Sequence, residues 1–148
     1  KNRGLEKIIQ AMSSFSTTDV SLTLLGHSTN EIQNYLYGII DYYKLSRQQI
    51  IFLSSVSEKS IVQIASEHHI GLASEYSNSL NRDLCLTNKI FTYLLAGNAL
   101  ILSDTYAQKS FLIENPGIGL VYKQNNVKEL RIGVYENNVN IDLNEFGI

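Results

Sequence analysis

Apolar residues along this chain switch between a three-to-four-residue period and short continuous runs, and that alternation predicts helices alternating with strands. Leu5, Ile8, Ile9 and Met12 share one face of a helix predicted over residues 4–15, with Glu6 in the first turn where its charge suits the dipole. Residues 19–26 carry Val20, Leu22, Leu24 and Leu25 and stop at Gly26, a strand opening into His27-Ser28-Thr29-Asn30. Residues 31–44 return to helical spacing through Ile32, Leu36, Ile39, Ile40 and Tyr43, and their aromatic side chains fit core packing rather than base stacking. A short apolar strand at 50–53 then meets Ser54-Ser55-Val56-Ser57, which turns the chain and caps a helix over 58–67. His68 and His69 precede a strand at 70–73; on an extended segment their side chains point to opposite faces, which argues against a shared metal. Residues 74–86 are polar, glycine-free and long for a loop, the mark of a functional loop or of one that orders on binding.

The strongest pattern is Thr87-Asn88-Lys89-Ile90-Phe91-Thr92-Tyr93-Leu94-Leu95-Ala96-Gly97, followed by Asn98-Ala99-Leu100-Ile101-Leu102-Ser103-Asp104. Thr87 is the expected N-cap, its hydroxyl accepting from the first-turn amides, and Gly97 the expected stop. The run 99–102 is too short and too continuously apolar for a helix and predicts a strand buried on both faces. The helix front is a natural anion site because free amides and the dipole favour negative charge. A cation there, Lys89, is locally unfavourable unless it meets a negative ligand. A short helix over 106–113, a turn at Asn115-Pro116-Gly117, a strand over 118–122 and a final helix capped by Asn125 or Asn126 complete the pattern, and 137–148 reads as an aperiodic tail. Repeated helix–strand alternation requires a parallel sheet with helices on both faces, a Rossmann-like doubly wound α/β fold.

Composition changes this picture little. The 148 residues are 44% hydrophobic with one proline, ordinary for one packed domain, here 1–136 plus the tail. With 12 basic and 14 acidic residues interspersed, the net charge of −2 offers no nucleic-acid footprint. The one cysteine, Cys85, precludes an internal disulfide and suits a reducing cytoplasm. No apolar run reaches the ~18 residues of a membrane span, and no signal peptide is evident.

The central string resembles the N-K-hydrophobic-F-E-Y-hydrophobic-x-A-G-x-P-hydrophobic-hydrophobic-x-S-D segment in the donor domain of GT-B glycosyltransferases, especially the retaining family-4 type. Arg3-Gly4-Leu5-Glu6-Lys7-Ile8-Ile9-Gln10-Ala11 is similar to the segment that opens that domain's first helix, so the likeness spans about residues 3 to 135. The resemblance implies the carboxyl-terminal, nucleotide-sugar-binding half of a two-domain enzyme. Such an enzyme moves a sugar from a nucleoside diphosphate sugar to a glycan or lipid-linked acceptor in cell-surface polysaccharide biosynthesis. It implies no metal or other cofactor and no nucleic-acid partner, and a cytoplasmic place, with peripheral contact at the inner membrane face through the amino-terminal half. By the same likeness Arg3 and Lys89 neutralise the donor diphosphate, Ser54 to Val56 lie under the base, and Thr87, Asn88 and Thr92 line the donor site. The chain enters its first helix without the strand that opens such domains, so an excised fragment, inactive alone, is expected.

This sequence departs from the family at the paired glutamates, whose positions hold Leu84 and Thr92, and at the proline replaced by Ala99. Thr92 offers one hydrogen bond to a sugar hydroxyl where glutamate offers a charge, and Glu75 is the candidate to substitute for the first glutamate as a catalytic carboxylate. The departures leave open a non-catalytic nucleotide-binding or assembly module and a nucleotide-sugar epimerase domain. A receiver-like domain lacks its acidic cluster, since Asp19, Asp41 and Asp104 are isolated.

Overall fold

All five apolar runs predicted as strands form strands, and every strand pair is parallel. A computed structural model describes residues 4–15 and 20–138. In order these build α1 (Leu5–Met12), β1 (Leu22–Leu25), α2 (Asn30–Tyr42), β2 (Ile50–Leu53), α3 (Glu58–Ser66), β3 (Ile70–Ala73), α4 (Leu80–Leu84), α5 (Asn88–Leu95), β4 (Ala99–Ser103), α6 (Tyr106–Glu114), β5 (Gly119–Tyr122) and α7 (Val127–Asn138). The fold is α/β, with parallel sheets flanked by helices, consistent with a Rossmann-like architecture. Its strands fall into two sheets, β1-β2 and β3-β4-β5. Contacts likewise divide the chain into two compact units, one of Leu5–Ser57 and the other of Gly4 with the chain from Glu58 onward.

In the first unit β1 pairs with β2 from Leu22↔Ile50 to Leu25↔Leu53. Ile9 and Met12 of α1, Leu36 and Ile40 of α2, Leu45 and Ile50 form its core. Thr29 caps α2, its hydroxyl accepting from the Ile32 N–H at 3.3 Å.

The second unit is built on β4, whose five residues are all buried, as its continuous apolar run requires. Leu100 and Leu102 face Ile90 of α5, with Tyr93, Leu94 and Phe111 packed around them. Ile101 points the other way, toward Gly133 of α7. So α5 and α6 cover one face of this sheet and α7 the other. Each such aliphatic side chain stabilises by about 1.5–3 kcal/mol when fully buried. Gly71 in β3 is what lets α5 lie close, because a Cβ there would overlap the Tyr93 ring. Helix α5 ends as its glycine predicts: Gly97 takes φ +77°, and the Asn98 N–H closes the last turn onto the Tyr93 carbonyl at 2.9 Å.

Several boundaries differ from the pattern. Helix α1 ends at Met12, and residues 16–19, with the predicted strand start at Asp19, lie outside the described residues. Residues 74–86 are not wholly irregular: Ser79 accepts from the Arg82 N–H and starts α4 inside them. The final helix is capped by Asn126, which accepts from the Glu129 N–H at 3.1 Å, and it runs through Asn138, past the predicted tail start at 137. The rest of the tail, 139–148, is outside the described residues. His68 is not on an extended segment; it turns back onto α3, with Nδ1 2.8 Å from the Ile64 carbonyl.

Candidate functional site

In an open parallel sheet, ligands meet the carboxyl ends of the strands, and in the second unit three such ends converge. β3 runs out at Ala73 into Ser74 and Glu75, β4 ends at Ser103, and β5 ends at Tyr122, paired with Ser103. Glu75 is 8% exposed, a burial that carboxylates tolerate only with partners. Its Oε1 lies 2.8 Å from Lys89 Nζ, in the first turn of α5. The negative partner expected for Lys89 in a ligand is therefore supplied, in this structure, by the chain's own Glu75. The lysine side chain stays 35% exposed and that of Glu75 11%, so the pair stands at the surface with its carboxylate sunk and its ammonium open.

The backbone under Glu75 is held from two strands. Its N–H donates to Ser103 Oγ at 2.9 Å, and the Ser103 hydroxyl donates to Gln108 Oε1 at 2.8 Å. The Tyr122 hydroxyl donates to Ser74 Oγ at 2.6 Å. Burial pushes the Tyr122 phenol up, against the bond it gives to Ser74, and the nearby Tyr76, Asp104 and Glu75 add to the rise. Gly4 lies against this end of β3: a Cβ on it would stand 2.9 Å from Ser74 Oγ and 2.9 Å from the Tyr76 hydroxyl. With φ at +69° as well, the position favours a residue without a side chain.

Residues 76–84 form a strap tied down at its far side. The Ser77 N–H donates to Gln124 Oε1 at 2.9 Å, Gln124 Nε2 donates back to Ser77 Oγ at 3.0 Å, and the Gln124 N–H donates to Asp104 Oδ1 at 2.9 Å. Asp83 accepts from the Ser77 hydroxyl at 2.6 Å and from the Tyr106 N–H at 3.0 Å, and so supplies negative charge at the front of α6. Those bonds, the Ser77 one foremost, hold the Asp83 carboxyl below its ordinary range. Cys85 follows on the link to α5, exposed, its thiol 3.1 Å from Asn81 Oδ1.

Of the predicted site residues, the structure brings Glu75, Thr87, Asn88, Lys89 and Thr92 together, at the end of β3 and the front of α5. Two of them behave differently from expectation. Thr87 has the extended cap backbone (φ −88°, ψ 151°), yet its hydroxyl makes no cap bond. Its Oγ1 is buried without a partner, turned into the protein rather than along the helix front, and the first turn closes instead through the Ile90 N–H on the Thr87 carbonyl at 3.2 Å. Thr92 donates its hydroxyl proton to the Asn88 carbonyl of its own helix at 3.1 Å, leaving only lone pairs for a sugar hydroxyl.

Ser54 and Val56 belong to the first unit, both exposed just beyond β2. There Gly26, His27, Ser28, Gln33, Ser54 and Ser55 surround an open, mostly polar cavity of about 290 Å³ at the carboxyl ends of β1 and β2. Arg3 lies outside the described residues. Sequence patterns did not single out Ser103, Gln108 or Tyr122. The available signal was a polar residue closing an otherwise apolar strand, as Ser103 and Tyr122 do. A scan against protein-family models finds no match, and a search of curated proteins returns no significant match.

Proposed function

We propose that the unit from Glu58 onward, with Gly4, binds the diphosphate of a nucleoside diphosphate sugar and serves as the donor-binding half of a glycosyltransferase acting on a glycan or lipid-linked acceptor. The observation that carries this reading is the Lys89 ammonium, 35% exposed in the first turn of a helix at the carboxyl end of a parallel strand, with Glu75 2.8 Å away to hold it in place. Glu75 accepts a hydrogen bond from one N–H of the ammonium, and the remaining Lys89 N–H groups and the α5 amides meet phosphate oxygens. The second Glu75 oxygen accepts from a hydroxyl of the donor. A departing diphosphate gathers negative charge as the glycosidic bond breaks, so a cation and amides already in place stabilise that state more than the ground state. The resemblance adds Arg3 as a second cation.

Thr92 favours a second reading, a nucleotide-binding module without transfer activity, because a neutral hydroxyl bonded to its own helix stands where the family has a carboxylate. Calorimetric titration of UDP and GDP into the full chain tests both readings together. Lys89→Ala is expected to weaken diphosphate binding by about 1.5–3 kcal/mol, roughly 10- to 150-fold, and Thr92→Ala by less. Binding by a chain that transfers no sugar even when joined to an acceptor-binding half supports the module. If Lys89→Ala and Glu75→Gln both bind as the unaltered chain does, the site lies elsewhere.

A further inference from the structure

We propose that Ser103 and Gln108 are positioning residues for Glu75, setting where its carboxylate stands against Lys89; the functional meaning rests on the donor-site reading, the geometry on the hydrogen bonds alone. A hydroxyl has a single proton, and that of Ser103 goes to Gln108 Oε1 at 2.8 Å. Its lone pairs are thereby left for the Glu75 N–H at 2.9 Å, and the polarity of the chain Gln108–Ser103–Glu75 is determined. Ser103 and Gln108 are both 0% exposed, so water does not take over either bond. Gln108 is placed in turn by α6, its N–H donating to the Oγ1 of the equally buried Thr105 at 3.3 Å.

Gln108 Nε2 is buried without a partner. An unpaired buried donor is unfavourable, and an apolar side chain of the same length would avoid it. The amide has a task only at its other end, where Oε1 orients the Ser103 hydroxyl. Beside it, Tyr122 holds Ser74 at 2.6 Å, so consecutive residues at the end of β3 are fixed from β4 and from β5. The Glu75 side chain leaves a backbone that cannot turn away from α5.

The test is a double-mutant cycle on the full chain, with Glu75→Gln, Lys89→Met and both together, read by urea unfolding in the Ser103 and Ser103→Ala backgrounds. The Glu75–Lys89 coupling is expected to be lost in Ser103→Ala and restored in Ser103→Thr, which keeps the hydroxyl. The Kd for UDP is expected to rise about tenfold in Ser103→Ala and by less than about twofold in Ser103→Thr. Coupling that survives Ser103→Ala, whatever the loss of overall stability, overturns the inference. Should Ser103→Ala not fold, Gln108→Met, which removes the acceptor and keeps the length, is read by the same cycle. A chain that binds neither UDP nor GDP, with coupling still dependent on Ser103, overturns the donor reading and upholds the positioning role.

Discussion

Asp83 accepts its two hydrogen bonds as an ionised carboxylate, and that makes it a pH-dependent fastening for the strap. Its pKa is lowered in the folded chain, so its contribution is present above the ordinary carboxylate value of about 3.9 and is lost as pH falls through the folded value. Asp83→Asn lacks that dependence. Its urea midpoint is expected to fall less than that of the unaltered chain between about pH 5 and pH 2.5, and equal acid sensitivity would show that Asp83 holds nothing. Tyr122 works in the opposite direction, because a phenol raised by burial contributes below its ordinary range near 10 and loses that contribution as pH rises through the folded value. Tyr122→Phe is accordingly expected to flatten the alkaline limb of the stability profile. At this scale the sequence was half legible. Lys89 stood out because a cation at a helix front needs an explanation, but its partner, 14 residues earlier, is brought near only when β3 and α5 lie side by side. The Thr87 hydroxyl was misread because cap preference describes an average over helix starts, and here burial turns the side chain inward.

Helix α5 and strand β4 were the most legible elements, since Ile90 and Leu94 keep one face, Gly97 stops the turn, and the run into Leu102 has no polar residue to place outside. The contact between α5 and β3 was not legible, because it depends on an absence at Gly71 rather than on a pattern. Gly71→Ala is expected to destabilise the chain by about 1–3 kcal/mol, since the added methyl overlaps the Tyr93 ring. Tyr93→Leu in the same chain should recover part of that loss. A Gly71→Ala variant as stable as the parent would mean that α5 shifts freely on the sheet, in which case Lys89 is not held at Glu75 by packing. Helix α4 was read as loop because five residues with exposed Leu80 and Leu84 show no buried face for periodicity to detect.

For the chain as a whole, alternation of period was enough to give the parallel α/β class, while the separation into two sheets was hidden, because one apolar run does not say which other run it pairs with. Each unit has its own core, around Ile40 in one and Leu100 in the other. Ile40→Ala is expected to cost about 2–5 kcal/mol and to speed amide exchange in β1 and β2 while leaving β4 protected. Acceleration throughout both sheets would show a single cooperative unit instead. Cys85 has its own use at this scale. It is the one thiol in 148 residues, exposed on the link between the strap and the helix that carries Lys89. A maleimide fluorophore added to the unmutated chain therefore attaches at a single place, and its emission on addition of nucleotide would report directly whether the strap moves when the site is filled.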